Sequence, residues 1–448
     1  MTATVRLNPT DEMLHRAADT LGSSRIVQVL WTFRDPVPVT ALRAAWDGLD
    51  QGWLSRRARS SPVPGARRSW VPARNEEALG ITSTPLTDAT LGDWIDAQVK
   101  APLLPGSSAL WRLAAAPYGA GTLVSLTVPH FRCDGLGIFR AIGSGGDDTP
   151  DDTHRPTAGP GLLDDLADLA QQTLRGGLAA ARWLPATLTN PERLDRIRTA
   201  LRPPDRPEPP AEPRFFTSAI FETDAARWDQ QADAFGGTTN SLFVEIAANL
   251  VRTAGAGDPS EPFDVGIPVS LRRSDQDARA NALVVMPLTV PGGHARHQSL
   301  RQTRRATREL LRTTGEHSGT LVPEPLWHLL PERHAHRLKN PGAQQTTVVA
   351  SNFGRTPEAI ARFTGQEAAG IAVRTMNVPG VRPDRARLRA SLCLLRTGDR
   401  LTVTVTGIPD RFGDATSLRR LVGEELESWG LTVRRWWGEP TSHLRKES

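Results

Sequence analysis

The chain has 448 residues, 39% of them apolar and 23% charged, with a formal net charge of +5 at pH 7. That length suits two lobes of about 200 residues around a sizeable core, and the balance of apolar to charged residues excludes a largely disordered chain. The charge is small for the length and the arginines are spread among nearly as many acids, which argues against nucleic acid; a local basic patch still suits an acidic or phosphorylated partner. Only Cys133 and Cys393 are present, so a disulfide framework and a Cys-based zinc site are both excluded. No metal is expected. The start, Met1 to Leu7, lacks signal-peptide character, and no apolar run approaches the roughly 20 residues of a membrane span. The expected location is the cytoplasm.

In chain order, Asp11 to Leu21 reads as a helix and Ile26 to Phe33 as a strand. A second helix, Val39 to Gln51, carries Leu42, Ala45, Trp46 and Leu49 on one face. The cluster Arg56, Arg57 and Arg59 precedes a Pro/Ser/Gly loop, and a further helix lies near Leu91 to Val99. Ala109-Leu110-Trp111 leads into Arg112 to Pro117, and Gly121 to Val128 forms a mostly buried strand that Pro129 ends, since proline has no N–H for a ladder. Leu136, Ile138, Phe139 and Ile142 then suit a short helix. The stretch Gly143 to Pro160 is a loop, and Leu162 to about Ala181 returns to helical spacing through Leu162, Leu166 and Leu169. The proline-rich run Arg202 to Arg214 is the linker, dividing an N-terminal lobe (1–200) from a C-terminal lobe (215–448).

The second lobe opens with a strand, Phe215 to Phe221, and a helix, Asp224 to Phe235, stopped at Gly236-Gly237. Thr239-Asn240 caps an apolar helix from Ser241 to Arg252. Strands follow at Asp264 to Leu271, Ala282 to Val290, Thr346 to Ser351, Leu388 to Arg396 and Leu401 to Gly407, and Ala415 to Trp429 is the last long helix.

Between the strand ending at Pro129 and the short helix lies His130-Phe131-Arg132-Cys133-Asp134-Gly135. A histidine at a strand end is held rigidly, and its neutral ring takes a proton near neutral pH. Asp134 either holds that imidazole or pairs with an arginine to hold the loop. Gly135 is expected to supply a positive φ to an Asp-Gly turn. A thiol at Cys133 is a weaker candidate, because adjacent side chains diverge.

These residues resemble the acyltransferase superfamily of nonribosomal-peptide condensation domains, wax ester synthase/diacylglycerol acyltransferases and chloramphenicol acetyltransferase-like enzymes. The family motif His-His-x-x-x-Asp-Gly is matched by Pro129 to Gly135, with proline at the first histidine. Ala109-Leu110-Trp111 looks like a Pro-Leu-Trp motif. Gly237-Thr238-Thr239-Asn240-Ser241 is similar to a Thr-x-Asn-Asp helix start, with Ser241 at the aspartate. Pro268-Val269-Ser270-Leu271-Arg272 with Asn281, and Ser351-Asn352-Phe353-Gly354, look like two further motifs of the wax ester synthase branch.

The resemblance implies an α/β fold of two chloramphenicol acetyltransferase-like lobes, a V-shaped pseudodimer with a central tunnel. It implies a stand-alone acyltransferase or condensation enzyme of natural-product biosynthesis. An acyl group would pass from a thioester to an amine or alcohol, with His130 as general base. Asp134 would then fix the loop by pairing with Arg56, Arg57 or Arg272, and Gly135 would shape the backbone. Cys133, Ser351, Asn352 and Arg272 are the candidate substrate-binding residues. No bound cofactor is implied; acyl-CoA or a phosphopantetheinyl carrier protein acting in trans serves as co-substrate. The alternatives are a wax ester or triacylglycerol-type O-acyltransferase, which would need an amphipathic anchor, and a degenerate binding homologue, prompted by Pro129.

Overall fold

A computed structural model of the chain describes residues 5–143, 159–202, 212–255, 261–272, 277, 279–290, 297–313, 320–338, 346–382 and 388–439. Most of the expected loop after Gly143 and most of the proline-rich linker lie outside the described residues. The strands are β1 (Ser24–Phe33), β2 (Arg56–Arg59), β3 (Ser69–Pro72), β4 (Gly80–Ile81), β5 (Arg112–Tyr118), β6 (Gly121–Pro129) and β7 (Thr217–Asp224). They continue with β8 (Phe263–Ser270), β9 (Leu283–Val290), β10 (Val348–Arg355), β11 (Gly370–Val378), β12 (Ala390–Thr397), β13 (Arg400–Gly407) and β14 (Arg435–Trp436). The helices needed here are α1 (Pro9–Leu21), α2 (Val39–Gln51), α3 (Asp88–Lys100), α4 (Gly135–Gly143), α5 (Leu162–Leu188), α6 (Pro191–Leu201), α7 (Ala225–Ala234), α8 (Thr239–Thr253), α9 (Arg301–Thr313) and α10 (Glu324–Leu329).

Two mixed sheets organise the described residues. One has the order β11-β1-β6-β5-β4 and the other β14-β7-β13-β12-β10-β8-β9, with β2-β3 as a separate hairpin. Strands β5 and β6 are joined by a two-residue turn in which Gly119 takes a φ of 60°, a conformation that costs glycine least. All nine residues of β6 are buried, as befits a central strand covered on both faces.

Strand β11 belongs to the second half of the sequence yet pairs with β1 in the first sheet, in antiparallel register from Ser24 opposite Val378 to Thr32 opposite Gly370. Its consequence is a shared core. One apolar cluster contains Val29, Trp31, Leu126 and Ile138 together with Ile371, Cys393 and Leu395. A separate cluster around Trp228, Phe243, Leu392 and Leu426 belongs to the second half alone. The two sheets are thus locked together next to the end of β6, where His130 stands.

Candidate active site

The site is built from the end of β6 outward. Pro129 is the last rung of the β1–β6 ladder, opposite Ile26, and so keeps its place in the sheet although it donates nothing there. The next residue, His130, donates its backbone N–H to the Arg25 carbonyl at 2.7 Å. A tight turn follows, in which Arg132 N–H reaches the Pro129 carbonyl at 2.9 Å and Cys133 N–H reaches the His130 carbonyl at 3.2 Å. Asp134 then caps α4, its Oδ1 accepting from Gly137 N–H at 2.7 Å.

Asp134 is fastened from the other half of the chain. Arg272 Nη2 donates to its two carboxylate oxygens at 2.7 and 2.8 Å, and Ala282 N–H donates to Oδ2 at 2.8 Å. Both side chains of this pair are buried. Arg272 Nη1 also meets the carbonyls of Asp277 and Arg279, and Nη2 that of Ala280, while Nε is buried without a partner. Hydrogen bonds in this number help an ion pair to survive burial. Of the three arginines considered for Asp134, it is therefore Arg272 that pairs. Arg56 is instead buried against Trp53 and Trp70, its guanidinium carbon 3.5 and 4.6 Å from the ring centroids, and Arg57 is exposed.

Asn281, from the same segment as Arg272, donates its Nδ2 to the His130 carbonyl and to Asp11 Oδ1, each at 2.9 Å. The backbone on either side of the imidazole is thus pinned from both halves of the chain. Burial, and after it the charge of Arg25, pushes His130 down from its ordinary value to about 4, against an opposing pull from Asp134. The ring is neutral at pH 7. Its Nδ1 is buried without a hydrogen-bond partner.

The glycine of the motif has a different reason from the expected one. Gly135 does not have a positive φ; a Cβ on it would overlap the ring of Phe353. Phe353 comes from the Ser-Asn-Phe-Gly stretch of β10, and its ring also lies 5.7 Å from that of Phe139 on α4. Close approach between the two halves, rather than turn geometry, selects glycine here.

The remaining candidates fall in different places. Cys133 is fully buried, its Sγ 3.2 Å from the Asp134 carbonyl, and burial, followed by the Asp134 charge, holds the thiol protonated well above its usual range. Ser351 is half-buried on β10, opposite Cys393 of β12. Asn352 is exposed and committed to local structure: its Nδ2 donates to Asn240 Oδ1 at 3.1 Å and its Oδ1 accepts from Gly354 N–H at 2.9 Å. The cap of α8 is Thr238 rather than Thr239-Asn240. Ser241 returns the bond to Thr238 N–H at 3.1 Å, completing a capping box with a hydroxyl where a carboxylate is usual. Trp111 is core.

Arg25 was not among the sequence candidates. The signal was present as a lone arginine at the head of an apolar strand. It lines a cavity of about 30 Å³ together with Thr375 and Asn377 of β11, Ser391 of β12, and Phe216 and Met376.

Compared by sequence, the chain matches no family model and no curated protein. Its fold has clear counterparts among solved structures. The first condensation domain of the CDA synthetase superposes with a TM-score of 0.58 at 15% identity, covering 96% of this chain and 99% of that one. An F. sporotrichioides protein, TRI101, whose structure holds coenzyme A and T-2, gives 0.55 at 13% identity over 96% and 99%. The wax ester synthase/diacylglycerol acyltransferase from Marinobacter aquaeolei VT8 gives 0.53 at 15% identity over 95% and 98%. The chain therefore shares the α/β fold of these condensation-domain and acyltransferase structures, the fold that the motif resemblance implied. No helix among the described residues is long and apolar enough to cross a membrane.

Proposed function

We propose that the chain is an acyltransferase that passes an acyl group from a thioester, carried by coenzyme A or by a carrier protein, to an amine or alcohol, in the biosynthesis of natural products. The observation that carries this reading is a neutral His130 fixed at the end of β6 by Arg25, Asn281 and the Asp134–Arg272 pair. His130 takes the proton of the acceptor as its heteroatom attacks the thioester carbonyl, and returns a proton to the departing thiolate. A depressed proton affinity keeps the ring available as a base across the neutral range. Cys133, protonated and enclosed, takes no part as nucleophile.

Pro129 leaves this arrangement intact, since it occupies a rung of the sheet and the following residue presents the ring. The small cavity beside Arg25 favours the second reading, a homologue that binds without turnover, because a thioester and its acceptor need the junction to open further. Intact-mass detection of acyl transfer from a panel of acyl-CoA and carrier-bound thioesters decides between them. Transfer is expected from the native protein, with a loss of about a hundredfold to ten-thousandfold in His130→Ala. Equal turnover by that variant removes the general base from the mechanism, and inertness of the native protein across the panel supports the binding homologue.

A further inference from the structure

Arg25 is the arginine near the junction that lines a cavity. Arg272 is paired with Asp134, and Arg374 with Asp96 at 2.6 Å. The Arg25 side chain makes one long bond, Nε to Asn377 Oδ1 at 3.4 Å, and no ion pair with a described residue. Burial alone accounts for the lowered proton affinity of its guanidinium, with no carboxylate offsetting it. A half-buried cation without a counter-charge is open to a ligand that supplies one. Its cavity has room for about two waters, the size of a carboxylate group, and Thr375, Asn377 and Ser391 add polar groups to its wall.

We propose that this cavity is a subsite for a carboxylate carried by a substrate, held by the terminal nitrogens of Arg25, the residue whose backbone carbonyl anchors His130. The inference rests on the transferase reading of the junction and narrows its substrates to those bearing a free acid. The test is binding rather than turnover. Hexanoate and hexanamide are titrated into protein labelled at histidine, and the His130 ring resonances are followed by NMR. Hexanoate is expected to bind at least about tenfold more tightly than the amide and to raise the His130 pKa by neutralising Arg25. Arg25→Ala should abolish the preference, and Arg25→Lys should keep part of it. Equal response to acid and amide, or an unchanged preference in Arg25→Ala, overturns the subsite. Failure of acyl transfer in the mass assay, with the carboxylate preference intact, overturns only the catalytic reading.

Discussion

Helices α4 and α5 read alike in the sequence, each a run of apolar residues at helical spacing, yet they face opposite ways. In α4 the apolar side is inward: Ile138, Phe139, Ala141 and Ile142 are buried and Leu136 is left at the surface. In α5 the inward side is Asp165, Asp168, Gln172, Gly176 and Thr187. Periodicity establishes that a segment is helical, but the groups waiting on the body decide which face is covered. Arg6 and Arg67 wait for α5, and Phe353 with the shared core waits for α4. Burying charge is expensive even when paired, so the outward leucines are not a default of folding.

The comparison breaks most readily at the carboxylates each region buries. Asp134→Ala strands the guanidinium of Arg272 and leaves Gly137 and Ala282 N–H groups without an acceptor. It should cost about 3–5 kcal/mol, measured by urea unfolding. Removing both partners, Asp134→Leu with Arg272→Met, should cost less than the sum of the single changes. Additive losses mean that the pair is not coupled as its geometry requires. The next effect in size is steric. Gly135→Ala forces a methyl group into the Phe353 ring and should lower stability by about 1–3 kcal/mol. Phe353→Leu in the same chain should recover most of that loss, and a failure to recover it returns the glycine to a backbone role.

Much of this was legible in the sequence. The alternation of Gly121 to Val128, the proline stop and the turn at Asp134 located the motif, and Arg272 stood among the named partners of Asp134. The elements missed share a cause. Strand β11 carries Arg374, Thr375 and Asn377 among its apolar residues, a mixture that suits the polar junction it lines and blurs the strand signal. Helix α9 is so rich in arginine that its short apolar side, with Ala306 and Leu310, is easily passed over. The spacing of Leu162 and Leu166 marked α5 as a helix without saying which side faces in, and both are exposed. Gly135 shows the limit from the other side: its identity was correctly singled out, but the neighbour that demands it is more than two hundred residues away in the chain.

The smallest effect concerns protons rather than packing. His130 binds its proton less well in the folded chain than in the unfolded one, so the ring is neutral above about pH 4, and the rate should fall only as pH drops through that value. The same shift makes the protein lose stability as pH falls from about 6.5 toward 4, where the unfolded chain takes up a proton that the folded one refuses. Arg25 is the second cause of the shift after burial, and Asp134 opposes it. In Arg25→Ala the acid limb of the rate profile should therefore move upward without reaching 6.5, since burial persists, and the window of acid destabilisation should narrow from its lower edge. Both are read from positions on the pH axis, so a change in the height of the plateau does not disturb them. A limb that stays near pH 4 means that Arg25 lies electrically remote from the imidazole, and the carboxylate subsite then loses its link to the reacting group.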